Sequence, residues 1–356
     1  MAKIRILDVV SGFGLGGAEK ALLSRVKYMP AEFDQNILNV RPEIDALELS
    51  SVIIEHKITR RGLFRFIEIV QFLRCNKSDL VIVRTPLDAV RFGLIRVFMP
   101  RILPKLLFEA HSNFVSKKNI VNFLLSALLR MVSWKFDLVI AVSESVRRGP
   151  LCREQKNVEV VYLGADLDLP SLRLREIQIP QLLFIGRLVD VKRPLWLLER
   201  LRSIRSRVEL PYSALTIVGS GPLESQVKSF INTHSLETLV DYVGLQLDVS
   251  PYLLSATHLI SSSTNEGLPL TFFEAKLAGL SILATPSGGG SEIFDSTDHE
   301  LTSFDTEEFE GALINIFQTA PPTLEVRRGI QIRSSWMTTE QCAKRYYALL
   351  NDLIFK

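Results

Sequence analysis

Four residues in the second half of this 356-residue chain could do chemistry together: Arg187, Lys192, Glu266 and Glu274. Arg187 closes Phe184-Ile185-Gly186-Arg187 at the end of a strand-like run, and Lys192 follows in the next loop, ahead of a helix expected near Pro194. Two cations just past a strand's carboxyl end stand where a diphosphate would bind. Taken singly, such residues are more often solvated loop charges. Glu266 and Glu274 belong to Ser261-Ser262-Ser263-Thr264-Asn265-Glu266-Gly267-Leu268-Pro269-Leu270-Thr271-Phe272-Phe273-Glu274. With Pro269 at or near the first turn of a helix, Glu274 falls in the second turn and can look toward the same mouth as the Glu266 loop. Acceptor-only carboxylates placed this way suit hydroxyl-rich ligands such as a ribose and a sugar ring. Amides around Gly267, Leu268 and Pro269 could hold the phosphate between those sugars. Without that flank the pair reads as one helix-start carboxylate and one ordinary helical glutamate.

Three glycine turns accompany them. Ser11-Gly12-Phe13-Gly14-Leu15-Gly16-Gly17-Ala18-Glu19 joins a strand to a helix, where close backbone approach and a helix N-terminus favour an anion. Its spacing is not GxGxxG, which argues against a nicotinamide site. Val218-Gly219-Ser220-Gly221-Pro222 forms a second strand-to-helix junction, with Pro222 suited to the first helical position. Pro286-Ser287-Gly288-Gly289-Gly290-Ser291-Glu292 follows a further strand and reads as part of the same rim or as a flexible turn.

The elements that must hold these residues repeat an α/β pattern twice. In the first half, Ile4–Val10, Ile37–Val40, Leu80–Val83, Leu106–Ala110, Leu138–Val142 and Val158–Tyr162 are short, nearly continuous apolar runs. Such runs fit strands buried on both faces of a parallel sheet, with crossover helices such as Ala18–Tyr28, Phe64–Leu73 and Ile120–Trp134 between them. A polar stretch with Pro170 and Pro180 reads as a linker, and the pattern restarts with Leu182–Ile185, Leu215–Val218, Tyr242–Val243, His258–Ser261 and Ile282–Ala284. Helices are expected from Pro194 to about Arg205, from Pro222 to about His234, and from Thr339 to Leu353 at the end. The expected architecture is two doubly wound α/β domains facing across a cleft: residues 1–165, residues 166–338, and a closing helix over 339–356.

The order and spacing of these pieces resemble a retaining glycosyltransferase of family 4, with the GT-B fold of two Rossmann-like domains. The resemblance runs through Gly16-Gly17-Ala18-Glu19, Ile185-Gly186-Arg187 with Lys192, Val218-Gly219-Ser220-Gly221-Pro222, and the two glutamates Glu266 and Glu274. It implies that Arg187 and Lys192 neutralise the diphosphate of a nucleoside-diphosphate sugar, UDP- or GDP-linked. It further implies that Glu274 binds the ribose, that Glu266 lies near the sugar hydroxyls, and that Gly267, Leu268 and Pro269 shape the loop around them. Gly219 would line the nucleotide pocket, and Gly16 and Gly17 would touch donor or acceptor from the other domain. His111, in Glu109-Ala110-His111-Ser112, matches a family histidine near the reacting sugar, although a lone histidine is more often structural. Three positions depart from the pattern: Leu163 before Gly164 where Asn is common, Arg193 where Gly is common, and Ser291 where Pro is usual.

The activity implied is transfer of a sugar, with retention, to a hydroxyl of a glycan or lipid-linked acceptor in bacterial polysaccharide or lipopolysaccharide synthesis. No cofactor is expected, and no essential metal, since the two cations would do a metal's work on the diphosphate. A nucleotide-sugar epimerase of the same fold, a silent nucleotide-sugar-binding module and a nicotinamide oxidoreductase are the competing readings. Hydrophobic residues at 47% and charged residues at 23% exclude disordered and fibrous classes. The longest charge-free window, Val249 to Asn265, is broken by Ser, Thr, His and Pro and is too short for a spanning helix. A start without a cleavable signal pattern and three scattered cysteines, Cys75, Cys152 and Cys342, lead to the expectation of a cytoplasmic protein. The net charge of +3 hides a basic first half. Between Arg91 and Lys118 its cations alternate with Phe92, Leu94, Ile95, Val97, Phe98, Met99, Ile102 and Leu103, which suits either peripheral docking on the inner face of an anionic membrane or a core helix with a charged outer face. No nucleic-acid-binding motif accompanies these charges, so nucleic acid is not an expected partner.

Overall fold

The computed structural model describes residues 3–12, 17–42, 54–60, 62–103, 105–111, 120–153, 155–167, 174–300 and 304–355. The chain divides into two compact units, Met1–Gly164 with Thr339–Lys356, and Ala165–Thr338. In the first unit the elements run β1 (Ile4–Val10), α1 (Gly17–Val26), β2 (Phe33–Asn39), β3 (Ile54–Lys57), α2 (Gly62–Cys75) and β4 (Leu80–Val83). They continue with α3 (Pro86–Phe98), β5 (Leu106–Ala110), α4 (Ile120–Val132), β6 (Leu138–Ala141), α5 (Glu144–Arg148) and β7 (Val158–Val160). Among the described residues the strands form one seven-stranded sheet in the order β3-β2-β1-β4-β5-β6-β7. Every pairing in it is parallel. β4, β5 and β6 are buried at every position, which is why they read as unbroken apolar runs.

The second unit repeats the plan with β8 (Leu182–Ile185), α6 (Pro194–Ile204), β9 (Leu215–Val218), α7 (Glu224–Thr233), β10 (Val240–Gly244) and α8 (Ser250–Ser255). It ends with β11 (His258–Ser261), α9 (Leu270–Leu277), β12 (Ser281–Ala284), β13 (His299–Glu300), α10 (Thr306–Gln318) and α11 (Leu324–Arg333). Its sheet is parallel throughout, in the order β10-β9-β8-β11-β12-β13. In both sheets the order reverses beside the first strand, between β1 and β4 and between β8 and β11, the point where open α/β sheets bind ligands at their carboxyl ends. The last helix, α12 (Thr339–Phe355), belongs to the first unit: Ala343, Tyr346, Tyr347 and Leu350 pack with Ile4, Ile6, Phe33 and Leu80.

Three local expectations change. β3 and β13 were not among the expected strands. Both are sheet edges; β3 is Ile-Glu-His-Lys, and an edge strand carries polar residues that hide it from a search for apolar runs. Pro222 does not open a helix, because the turn runs on and α7 begins at Glu224. In α3 and the turn after it, Phe92, Ile95 and Leu103 are core residues, so the core-helix reading holds for them, and Phe98 is the exposed large apolar residue there. Among the described residues no helix is long and apolar enough to cross a membrane.

Candidate functional site

In the second unit two loops leave the sheet on either side of the order reversal. The loop after β8 carries Gly186 and the exposed Arg187, then a single 3-10 turn, Asp190–Lys192, that ends on Arg193. The loop after β11 is stitched to it by short hydrogen bonds. Ser262 Oγ donates to the Lys192 carbonyl at 2.7 Å, and Arg193 Nε donates to the Ser262 carbonyl at 2.6 Å. The Thr264 amide donates to the Val191 carbonyl at 2.8 Å. Lys192 lies over Gly186, where an added Cβ would stand 3.6 Å from its Cε, and its ammonium is ion-paired with Glu266. One cation and one carboxylate singled out from sequence therefore meet at the switch point of the sheet.

Arg193 explains its own departure from the family pattern. Its φ of 49° lies in the left-handed region, which glycine occupies without strain. The arginine is held there by its bond to Ser262 and by stacking its guanidinium over Trp196 at 4.3 Å and Phe304 at 4.7 Å.

Beyond Glu266 the chain enters a tight frame. The Glu266 amide donates to the Ser287 carbonyl at 2.6 Å, and Glu266 bridges Gly288 in parallel, so the glycine loop after β12 borders the site. Gly290 in that loop packs against Phe272 so closely that a Cβ would fall 2.5 Å from its ring. Gly267, Leu268 and Pro269 are buried; Pro269 is the N-cap of α9, and Glu274 stands half-buried in the second turn.

Gly219 serves the site by close approach. Its φ is +139°, and a Cβ there would stand 2.0 Å from the Gly186 carbonyl oxygen. Its amide donates to the Gly244 carbonyl at 2.7 Å and its carbonyl accepts from the Tyr242 hydroxyl at 3.0 Å, so its backbone polar groups are committed within the protein. Gly219→Ala is expected to cost about 2–4 kcal/mol, combining a left-handed backbone penalty with overpacking. Gly186→Ala meets only the Lys192 side chain at ordinary contact distance and should cost far less. Urea unfolding of both variants checks this, and equal midpoints would contradict the packing role.

The first unit places His111 immediately after β5, mostly buried, with Nε2 3.1 Å from Glu109 Oε1. Glu109 is the hub of a buried charged network. Its carboxylate accepts from Arg25 at 3.2 and 3.0 Å, pairs with Arg84 at 3.1 Å, and accepts from the Tyr346 hydroxyl of α12 at 3.1 Å. Arg84 also pairs with Asp8, which accepts from Gln35, and the Arg25 guanidinium lies 3.5 Å from the centre of the Tyr346 ring. Burial by itself would raise the Glu109 carboxyl, but Arg25, Arg84 and His111 outweigh it and hold it well below the usual range. Burial raises Asp8, with Arg84 and Arg25 opposing. Gly17 is the exposed first residue of α1, and Gly16 lies outside the described residues.

Sequence reasoning passed over Asp8, Arg25, Arg84 and Glu109. A signal was available, because Glu109 is the lone charge in β5 and Asp8 stands among the apolar residues of β1, whose other charge, Arg5, is exposed. One Asp-x-Asp pair, Asp166-Leu167-Asp168, stands at the start of the linker; Asp166 is exposed and Asp168 lies outside the described residues.

Two Rossmann-like units with this strand order define a GT-B glycosyltransferase fold. Residues 179–319, within the second unit, match the family model for glycosyl transferases group 1. The Vi polysaccharide biosynthesis protein VipC/TviE of Salmonella typhi is 30% identical over 84 residues, 24% of this chain and 14% of the relative. An Escherichia coli UDP-Gal:alpha-D-GlcNAc-diphosphoundecaprenol alpha-1,3-galactosyltransferase is 28% identical over 137 residues, 37% of this chain and 35% of the relative. The matches to curated relatives thus span only 14% to 35% of those proteins' length. The crystal structure of Anabaena HepE in complex with UDP aligns with a TM-score of 0.75 at 17% identity, over 98% of this chain and 100% of that one, a likeness of fold.

Proposed function

We propose that this chain is a retaining glycosyltransferase that moves a sugar from a nucleoside-diphosphate donor to a hydroxyl of a glycan or lipid-linked acceptor in bacterial cell-surface polysaccharide synthesis. The observation that carries the reading is the Lys192–Glu266 pair at the order reversal of the second sheet, with Arg187 on the loop just ahead of it. Arg187 and Lys192 neutralise the donor's diphosphate, Glu266 takes sugar hydroxyls and Glu274 the ribose. Gly267, Leu268 and Pro269 shape the loop between them, and Gly219 acts through packing on Gly186. From the first unit, His111 lies near the reacting sugar and Gly16 and Gly17 border donor or acceptor. UDP is the favoured nucleotide, supported by the UDP in the HepE structure and the UDP-Gal in the name of the Escherichia coli relative.

In the proposed reaction the bond from the anomeric carbon to the diphosphate oxygen breaks and a bond to the acceptor oxygen forms on the same face. The acceptor's proton passes to the departing diphosphate. Cations held beside the developing phosphate charge once the donor is bound lower the barrier. We assign them the part a metal would play, and turnover in excess chelator is the matching expectation. We also propose a cytoplasmic location with peripheral contact on an anionic membrane.

The test is a thermal-shift screen with UDP-, GDP- and ADP-sugars, since a ligand that binds the folded state raises Tm by mass action. Product analysis follows on the hits, with and without acceptor and with and without chelator. Stabilisation by a UDP-sugar and acceptor-dependent release of UDP are expected. Free epimerised sugar without acceptor, or no shift with any sugar nucleotide, would overturn the reading.

A further inference from the structure

The loop after β8 is fastened in two stages. Its first half is held by the turn after β9. The Leu188 amide donates to the Ser220 carbonyl at 2.9 Å, the Leu188 carbonyl accepts from the Leu223 amide at 3.0 Å, and a Cβ at Gly221 would stand 2.6 Å from that same carbonyl. Its second half, which carries Lys192, is held by the loop after β11. Ser262 is fully buried and shares its hydroxyl proton between the Lys192 and Arg193 carbonyls, at 2.7 and 3.2 Å. Arg193 Nε returns a bond to the Ser262 carbonyl at 2.6 Å. A donor that carries charge makes the stronger kind of hydrogen bond, and here it closes a reciprocal pair.

Arginine is a poor local choice at position 193. The left-handed backbone suits glycine, and the residue is the N-cap of α6 yet offers no side-chain oxygen to the helix amides. Its Nη2 is buried with no hydrogen-bond partner among the described residues. A residue that breaks local rules in this way is held by its surroundings, and such outliers cluster at functional sites. What Arg193 adds over glycine is the bond to Ser262 and the stack on Trp196 and Phe304. What those contacts immobilise is the neighbouring lysine. The Lys192 side chain passes over Gly186 to its ion pair with Glu266, so a diphosphate has to take the ammonium from a carboxylate. With the backbone fixed, that exchange needs only a turn of the side chain and ends in one geometry.

We propose that Arg193 and Ser262 are positioning residues for Lys192, a reciprocal clamp that fixes its backbone while the ammonium moves from Glu266 to the donor's diphosphate. The inference deepens the proposed transferase and rests on its assignment of Lys192 to the diphosphate. Arg193→Gly tests it, because glycine takes the left-handed backbone without strain and the change removes only the clamp. The variant should keep its Tm within about 3 °C of the wild type. Its kcat with a UDP-sugar should fall at least about tenfold while KM changes less than about threefold, since a displaced cation is felt most in the transition state. Ser262→Ala should act in the same direction. In a Lys192→Ala background either change should alter turnover less than about twofold, whereas a role in folding alone would add in full. A second readout needs no sugar nucleotide. Hydrogen exchange of the Lys192 and Thr264 amides, bonded to the Val189 and Val191 carbonyls, should quicken in Arg193→Gly at least about tenfold. Unchanged exchange, an unchanged kcat beside an impaired Lys192→Ala, or full additivity with Lys192→Ala would overturn the clamp. Full activity of Lys192→Ala, with exchange quickened as expected, would count only against the leaving-group reading of Lys192.

Discussion

Lys192→Ala is expected to lower kcat by two or more orders of magnitude, and Arg187→Ala by a similar factor. Removing a fixed donor that faces developing charge typically costs that much, because nothing else in a closed site replaces it. The structure adds a finer expectation. The Lys192 ammonium is paired with Glu266, so a diphosphate must draw the lysine from that carboxylate, and the same exchange frees Glu266 for the sugar. Glu266→Gln should then bind UDP as tightly as the wild type or more tightly, because the competing charge is gone, while turnover falls for want of the acceptor oxygen on the sugar. Lys192→Ala should weaken UDP binding and turnover together. Titration calorimetry with UDP and steady-state kinetics on both variants separate the two effects. Near-wild-type kcat in Lys192→Ala, or UDP binding lost equally in both, would remove the exchange and the leaving-group role with it.

How much of this could be read from the chain depends on where each signal resides. Strands buried on both faces, such as Leu80–Val83 and Leu106–Ala110, announce themselves as apolar runs, and the observed bounds match those read from sequence. Edge strands do not, since Ile54-Glu55-His56-Lys57 faces water along one side and carries the residues water selects. The two doubly wound α/β domains were legible because the same alternation occurs twice and the glycine turns punctuate it; the GT-B fold was implied by the family resemblance. In the site, Lys192 and Glu266 were legible by type and spacing, and the fold brings them into contact. The part played by Ser262 was hidden, because a hydroxyl that fastens one loop to the carbonyls of another has no sequence period. The left-handed backbone of Arg193 was hidden behind a residue that rarely adopts it. Which apolar residues between Arg91 and Lys118 belong to the core was hidden too, because burial depends on which side of α3 packs inward, and Phe92 and Ile95 are buried there. The buried network was missed for a related reason. A lone aspartate or glutamate in a strand is noise until its partners, some of them hundreds of residues away on α12, are in place.

Glu109→Gln is expected to destabilise the first unit by about 3–5 kcal/mol, the usual consequence of removing one member of a buried ionic set. The wild-type network is balanced, with Arg25 and Arg84 against Asp8 and Glu109. Removing the glutamate's charge leaves two buried guanidiniums facing one carboxylate, and the amide can accept fewer of the bonds now made by Arg25, Arg84 and Tyr346. The Tyr346 bond ties α12, from the far end of the chain, to β5, so proteolysis of α12 should accelerate in the variant. Arg84→Met added to Glu109→Gln restores charge balance, and the double variant should lose less than the sum of the single changes. The pH dependence follows from the sign of the shift. A carboxyl whose folded pKa lies well below its unfolded value contributes stability that is present above the unfolded pKa and is lost as pH falls through the folded one. Relative to its own neutral value, wild-type stability should therefore fall more on acidification than that of Glu109→Gln; the difference between the two should shrink below about pH 4, where the unfolded glutamate begins to take up its proton. Urea unfolding across pH measures it. A neutral-pH loss under about 1 kcal/mol, or a difference that widens as pH falls, would show that Glu109 is not the ionised hub on which the two arginines and His111 depend.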